Sequence, residues 1–332
     1  MKANTAIGFY ARGVRSMLRR RRWTCLILVA SLSSLFIVSI RYLSPSNNET
    51  ILNESLIHCS KNKPWSAAET YRNLVYIPQL EILFCDVPKA ASTNVRRLIY
   101  HYLHPSVVSS SSANLNRKAI WIDHEEFFRS FYLNRTSHSI VKNEKSFKFL
   151  LVRHPFRRIH STFLDKFVHN HLDDTLSGWK QYEEEILLRM KPKETLLSLR
   201  RKQSRLDLST FLRSIILSIR EGLPINSHWQ QIVSRCAVCL VHYDWIGKIE
   251  SLHENGQVLM NRLNKHIGRN QLKFPSEDLD RTEKDASRFD DEQLVELFRQ
   301  SLANEDHFET LLNYYRDDFQ IFNYSLPHLR VD

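Results

Sequence analysis

The sequence is poor in glycine, and the scarcity matters most in a segment where a nucleotide-binding protein would need it. Only seven of the 332 residues are glycine, and none lies between Leu80 and Leu98. This segment predicts a strand over Ile82–Phe84, a turn at Pro88 and a helix that is capped by Ser92 or Thr93. A Walker-type nucleotide loop requires glycines in such a turn, so that kind of loop is excluded.

The turn nevertheless has the chemistry of an anion site. Lys89 and the N–H groups of the helix's first turn would converge on one point, and this arrangement favours phosphate or sulfate. Ala90, Ala91 and Ser92 are small enough to let an anion approach. The alternative is that the turn merely connects a strand to a helix.

Cysteines are also few, five in all, and no complete zinc motif is present. Cys236 and Cys239 form one CxxC pair, and no second CxxC or HxxxH accompanies it. Zinc is therefore the weaker interpretation. Together with Cys59 and Cys85, the pair can instead form two disulfides in any of three connectivities.

Acidic residues are absent from residues 1–22, which carry seven basic ones. The rest of the chain has 40 Lys and Arg residues against 36 Asp and Glu residues, so most of the net charge of +11 belongs to this short segment. A nucleic-acid partner for the folded region therefore loses its main support.

An uncharged, mostly apolar run of 18 residues follows, from Trp23 to Ile40. As a helix it would span roughly 27 Å, which is just enough for a bilayer. Arg19–Arg22 precede the run and only Arg41 follows it directly, so the positive-inside rule puts the N-terminus in the cytosol. A cleaved signal peptide is the alternative. We predict a cytoplasmic tail (1–22), a transmembrane signal anchor (23–40), a luminal stem (41–66) and a folded catalytic domain (67–332).

Four N-glycosylation sequons agree with this orientation, because all of them lie after the apolar run. They begin at Asn48, Asn53, Asn134 and Asn323.

A second candidate anion site lies at residues 147–161. Phe149–Val152 is short and apolar on both faces, as strands of a parallel sheet are. Arg153 follows this strand, and Pro155 suits the first turn of a helix that runs on through Phe167. Ser161, roughly two helical turns further on, could share an anion with Arg153. The alternative is that Arg153 pairs with a carboxylate and Ser161 has no binding role.

The two candidate sites should lie together. Ligands of open α/β sheets bind at the carboxyl ends of the strands. Lys89 and Arg153 each follow a predicted strand, so we expect both at one edge of the sheet.

A basic stretch with few acids follows further along the chain. It is either a solvated helix face or a rim that binds an acidic polymer. Its basic residues are Lys191, Lys193, Arg200, Arg201, Lys202 and Arg205.

The two anion motifs resemble those of sulfotransferases. Residues 87–94 resemble the loop that binds the 5′-phosphosulfate of 3′-phosphoadenosine-5′-phosphosulfate (PAPS), and residues 153–161 look like the 3′-phosphate motif. With His228-Trp229, the CxxC pair and the pattern Tyr243-Asp244-x-x-Gly247-Lys248-x-Glu250, they are similar to Golgi carbohydrate sulfotransferases of the chondroitin 4-O-sulfotransferase group. The similarity covers residues 70 to 325, although many members have cysteine where Ser92 stands.

This resemblance implies an α/β, P-loop-like sulfotransferase fold, with a central parallel sheet flanked by helices and one transmembrane helix before it. It implies a type II Golgi membrane enzyme with a luminal catalytic domain. PAPS would be the donor, no metal would be needed, and an acidic glycosaminoglycan or related glycan would be the acceptor. Position 4 of N-acetylgalactosamine in chondroitin is the expected target. Dermatan or a terminal sugar of a glycoprotein is the alternative.

The implied donor site takes in both motifs. Lys89 would neutralise charge on the leaving phosphate oxygen during in-line displacement. His124 is the expected general base, with His228 in reserve, and the alternative for His124 is a purely structural role. The implied PAPS-binding residues are Pro88, Lys89, Ala90, Ala91, Ser92, Thr93, Asn94, Arg153, His154, Pro155, Phe156, Arg157, Arg158, Ile159, His160 and Ser161.

Two other classes of function remain as alternatives. A Golgi glycosyltransferase shares this topology but needs an acidic metal-binding motif at a strand end, whereas Asp278-Leu279-Asp280 looks like the start of a helix. A non-catalytic polysaccharide-binding protein would keep the fold. The presence of Lys89, Arg153 and Ser161 argues against a decayed site.

Overall fold

The computed structural model describes residues 71–104, 120, 124–134, 137–169, 178–268 and 288–328. All of these belong to the second of the two units into which the chain divides, residues 51–332. The predicted tail, anchor and stem lie outside the described residues, as do the sequons at Asn48 and Asn53. Within the described part of the chain, no helix is both long and apolar enough to cross a membrane.

The sheet has four strands in the order β1-β2-β3-β4, namely Leu74–Ile77, Ile82–Cys85, Phe147–Val152 and Trp245–Lys248. Strands β2, β3 and β4 are parallel, as predicted. Strand β1 is antiparallel to β2, so the predicted central parallel sheet comprises β2, β3 and β4 and carries an antiparallel edge strand. Only residues 78–81 join β1 to β2, and a parallel pair would need a much longer crossover.

Strand β2 is apolar throughout because both faces of the sheet are covered. In β2, Leu83 and Cys85 pack on one face, while Ile82 and Phe84 pack on the other. Alternate side chains of a strand point to opposite faces, so a strand covered on both sides reads as an unbroken apolar run.

Strand β4 shows why one of the few glycines is retained. A Cβ atom at Gly247 would lie 2.0 Å from the indole ring of Trp245, which is completely buried on the same face of the strand. Glycine is therefore the residue that lets this ring pack against the sheet.

The helices of the described residues connect and cover the strands. Helix α4, Pro155–Phe163, continues directly into a wider π-helical segment, Leu164–His169, so the helix expected through Phe167 is present but changes its pitch. The helices are α1 Ser92–Leu103, α2 Glu125–Arg129, α3 His138–Val141, α4 Pro155–Phe163, α5 Trp179–Met190, α6 Leu196–Arg201, α7 Leu208–Arg220, α8 Ile232–Arg235, α9 Leu252–Ile267, α10 Asp291–Leu302 and α11 Glu305–Ile321.

Helices α4, α5, α7, α10 and α11 pack around a largely aromatic core of their own. The ring of Phe156 stacks on that of Phe298 at 4.9 Å and meets the edge of Phe308 at 5.9 Å. Asp207 caps α7 by accepting the N–H of Thr210. Such caps fix the ends of helices, and their apolar faces pack together. Both features stabilise these helices independently of the sheet.

A disulfide joins Cys85, the last residue of β2, to Cys236, which follows α8. Cys239 is also disulfide-bonded. The predicted oxidation of these cysteines is therefore confirmed. The CxxC pair is not half of a zinc site, because both of its sulfurs are already bonded in disulfides.

Candidate active site

The first anion motif is a strained loop between β2 and α1. Lys89 has φ +67° and Ala91 has φ +60°, in the left-handed region that glycine normally occupies. Ala91 stands at the N-cap position and no side chain caps α1. The predicted cap at Ser92 or Thr93 is therefore wrong, because left-handed Ala91 turns the chain straight into a helix that begins at Ser92. An uncapped helix start suits an anion.

Buried charged side chains stabilise this loop through hydrogen bonds with Asp86. The Nη2 of Arg96 lies 2.8 Å from Oδ2 of Asp86, and the hydroxyl of Tyr132 donates to the same oxygen. Arg235 donates from Nε and Nη2 to the carbonyl of Asp86 at 3.0 and 2.9 Å. Strained backbone persists where the surroundings over-determine it, and here side chains from three separate segments do so.

The second anion motif reaches the first directly. Arg153, which follows β3, donates from Nη1 to the carbonyl of Lys89 at 3.0 Å. The prediction that these two residues share one edge of the sheet is confirmed. Ser161 lies further along α4 and is almost completely buried.

Three residues of the second motif do not fit the proposed binding role. Phe156 and Ile159 are completely buried in the helical core. Arg158 is also fully buried, and its guanidinium donates to the carbonyls of His228 and Gln230. Their assignment to PAPS binding stays a prediction, and it is disfavoured by the burial and internal contacts of all three side chains.

Two histidines of the same motif are buried and uncharged. Burial lowers the pKa of His154 to about 4. Burial also lowers the pKa of His160 to about 4, and the positive charge of Arg153 lowers it further. At neutral pH neither ring offers a positive charge to a phosphate. The charge of this motif therefore comes from its arginines.

A carboxylate that sequence reasoning missed lies beside the loop lysine. Asp165 is 2% exposed, and its Oδ2 lies 3.4 Å from Nζ of Lys89 and 3.2 Å from Nζ of Lys166. It stands in the π-helical segment that follows α4. Such widened turns often occur at functional sites, but nothing in the sequence marks this one.

His228, the reserve base, lies close enough to Lys89, Lys166 and Asp165 for their charges to shift its pKa. Burial lowers its pKa well below the ordinary range, and the positive charges of Lys166 and Lys89 lower it further. Its ring meets Trp179 edge to face at 4.8 Å, and Lys166 lies 5.0 Å from the centre of that same indole. The structure therefore joins His228 to Lys89 through a continuous set of contacts.

His124 lies elsewhere. Its ring stacks on that of Tyr100 at 4.2 Å, and Tyr100 is roughly 12 Å further along α1 than Ser92. This placement brings it to the far half of α1, away from the donor loop. His124 as the base stays a prediction, and its position favours a packing role.

Three of the six basic residues of the basic stretch are paired with acids. Arg200 pairs with Glu184 through two contacts of 2.8 and 2.9 Å. Lys202 lies 2.6 Å from Glu194, and Arg205 lies 3.9 Å from Glu183 in a weaker contact. These pairs favour the interpretation of a solvated helix face.

The described residues contain no group of three or more His, Cys, Asp or Glu side chains that could hold a metal ion. The acidic triplet Asp278–Asp280 lies outside them. The sequon asparagines Asn134 and Asn323 are both exposed.

Comparison with known proteins agrees with this geometry. The model of the sulfotransferase family matches residues 72–325. Carbohydrate sulfotransferase 11 of Rattus norvegicus is 30% identical over 270 residues, which cover 79% of this chain and 70% of the relative. Carbohydrate sulfotransferase 12 of Mus musculus is 26% identical over 304 residues, covering 83% and 66%. Carbohydrate sulfotransferase 9 of Homo sapiens is 27% identical over 256 residues, covering 75% and 52%.

No solved structure matches the chain. The family match nevertheless spans both strand-end motifs and everything between them. The chain therefore belongs to the sulfotransferase family.

Proposed function

We propose that this protein is a carbohydrate O-sulfotransferase that takes sulfate from PAPS and transfers it to a glycan hydroxyl, with position 4 of N-acetylgalactosamine in chondroitin as the foremost target. The contact between Nη1 of Arg153 and the carbonyl of Lys89 carries the proposal. This contact places two cations, each following a strand, at one edge of the sheet. A nucleotide with phosphates at both its 3′ and 5′ positions requires two such cations. The names of the related proteins support a carbohydrate acceptor.

The residues present fit this donor. A strained, uncapped helix start with a lysine suits a terminal anionic group, and a buried arginine next to it suits a second one. When bound, PAPS supplies an activated sulfuryl group. Lys89 is placed to neutralise the charge that develops on the leaving oxygen, and Arg153 is placed to fix the register of the nucleotide.

His228 is the better placed base. Asn226 accepts the backbone N–H of His228 on Oδ1 at 3.0 Å, and the ring Nδ1 of His228 lies 3.1 Å from that same oxygen. A neutral imidazole held in this way can take a proton from a hydroxyl through Nε2. We therefore favour His228 over His124.

We also propose a type II Golgi membrane protein with its catalytic domain in the lumen. The apolar run at 23–40 and the basic residues before it support this topology. The disulfide between Cys85 and Cys236 suits an oxidising compartment. The exposed sequon asparagines Asn134 and Asn323 are compatible with it.

Labelled PAPS and a panel of desulfated glycans test the activity. Purified protein should label chondroitin, and disaccharide mapping should place the sulfate at position 4 of N-acetylgalactosamine. Labelling of dermatan or of a glycoprotein sugar alone would change the acceptor but keep the donor. Absence of label on every glycan, with PAPS intact, would contradict the proposed function.

A further inference from the structure

The carboxylate of Asp165 is the feature that the proposed reaction leaves unexplained. It is almost completely buried, and a single oxygen, Oδ2, faces the ammonium groups of both Lys89 and Lys166. The side chains of the two lysines are only 14% and 11% exposed. Two cations thus share one buried anion at the place where a negatively charged donor would bind.

Lys166 is fixed independently of Lys89. Its ammonium lies 5.0 Å from the centre of the Trp179 ring, in a cation–π arrangement. The Nζ of Lys166 also lies 3.2 Å from Oδ2 of Asp165, and neither of these two contacts involves Lys89.

The electrostatics explain why a second lysine would be needed. Removing the counter-charge of a buried carboxylate is strongly unfavourable. If Lys89 alone balanced Asp165, a donor that attracted Lys89 would have to overcome this cost. With Lys166 in place, Asp165 keeps a counter-charge when Lys89 turns away.

We propose that Asp165 and Lys166 form a positioning pair for Lys89. Asp165 holds the ammonium of Lys89 at the site before the donor binds, and Lys166 balances Asp165 when Lys89 turns to the donor's 5′ anionic group. This inference rests on the proposed function, because it assumes that Lys89 contacts the donor. Neither Asp165 nor Lys166 needs to touch the nucleotide.

A double-mutant cycle separates this role from direct binding. Lys166→Met leaves Asp165 to hold Lys89 more tightly, so affinity for the donor should fall on the order of tenfold. Asp165→Asn removes the hold, so affinity should equal or exceed that of the wild type. The double variant should bind as Asp165→Asn does, because without the carboxylate there is nothing for Lys166 to balance.

The probe is 3′-phosphoadenosine-5′-phosphate (PAP), titrated calorimetrically into the full-length protein. Thermal unfolding of each variant checks that it is folded, and Lys166→Arg, which keeps the charge, should bind PAP as the wild type does. Lys180→Met is the matched control, because Lys180 is an exposed lysine of the same helix as Trp179. It should leave PAP affinity unchanged.

The possible results are distinguishable. Rescue of the Lys166→Met defect by Asp165→Asn supports the pair. An equal loss of affinity on removing Lys166 with or without Asp165 would show that Lys166 binds the nucleotide directly, and would overturn the inference. Unchanged affinity in Lys166→Met overturns it as well. Failure of the folded wild type to bind PAP would instead refute the proposed donor.

Discussion

Replacing Asn226 by alanine should slow sulfate transfer without weakening donor binding. Oδ1 of Asn226 accepts the backbone N–H of His228 at 3.0 Å. An amide N–H can only donate, so this oxygen is the acceptor end of the Asn226 side chain. This acceptor favours the tautomer in which the ring Nδ1 of His228, 3.1 Å away, carries the proton, and the Ser227 hydroxyl, 3.4 Å from Nδ1, can accept from it as well. The lone pair is left on Nε2, where a general base needs it.

The size of the effect follows from the contact that is lost. A neutral hydrogen bond contributes about 0.5–1.5 kcal/mol, and about 1.4 kcal/mol corresponds to tenfold in rate. We therefore expect Asn226→Ala to lower kcat about two- to tenfold. His228→Ala removes the base itself and should lower kcat about 100- to 10,000-fold. PAP affinity should hardly change in either variant, because Lys89 and Arg153 are untouched.

The pH dependence gives an independent test of the same residue. A base must be neutral, so activity is lost as pH falls through its pKa. Burial and the charges of Lys166, Lys89 and Arg235 lower the pKa of His228, while Asp165 opposes them. The acid limb of kcat/KM should therefore lie below pH 6.5, the ordinary value for histidine. Asn226→Asp puts a negative charge beside the ring, which should raise this pKa and move the acid limb to higher pH.

Steady-state kinetics of the purified protein, measured between pH 4.5 and 8 with labelled PAPS and chondroitin, provide the assay. His124→Ala is the matched control and should retain nearly full kcat. The reasoning is refuted if His124→Ala causes the large loss and His228→Ala does not. An acid limb that stays in place in Asn226→Asp would show that another group is the base.

Three further predictions concern the loop and its support. Lys89→Ala and Arg153→Ala should each abolish measurable sulfate transfer and weaken PAP binding, because each removes a cation at the strand ends; normal transfer in either variant would refute the donor assignment. Arg158→Met should lower the free energy of unfolding by about 1–3 kcal/mol in urea titrations, because the buried carbonyls of His228 and Gln230 lose their charged donor. Gly247→Ala should lower it by about 1–3 kcal/mol, because the new Cβ atom overlaps the Trp245 ring.

Arg157→Met is the natural control for Arg158→Met. Arg157 pairs with Asp291 at 2.6 Å, but that carboxylate is half exposed, and exposed ion pairs contribute about 0–1 kcal/mol. Equal losses of unfolding free energy in Arg157→Met and Arg158→Met would contradict the difference that we expect between an exposed ion pair and a buried guanidinium. An unchanged unfolding temperature in Gly247→Ala would show that the indole ring can move aside.

The strand-end pair was predictable because its signals are local. Ile82–Phe84 and Phe149–Val152 are short apolar runs, each followed by a turn and a cation, and parallel strands bring their carboxyl ends to one edge. The antiparallel β1 follows from the short connection at residues 78–81, which is too short for the crossover that a parallel pair needs.

The rest of the site depends on contacts between residues far apart in the chain. The carbonyl of Asp86 is held by Arg235, 149 positions away, and no local pattern announces that contact. Asp165, in the π-helical segment after Phe163, contacts Lys89 from a distant part of the chain. Tertiary packing determines such contacts, so the secondary-structure propensities of the residues do not reveal them.

Lys89 and Ala91 have left-handed backbone conformations. Because of them, the donor loop becomes ordered when the protein folds and not when the nucleotide binds. A loop rich in glycine would be easy to bend but would retain many conformations until a ligand fixed it. This loop has no glycine, and it reaches its bent form only because the folded protein imposes it. The entropic cost of ordering the loop is thus met once, during folding, instead of at each encounter with the nucleotide. Replacing Ala91 by glycine would ease the strain and return part of that cost to the binding step.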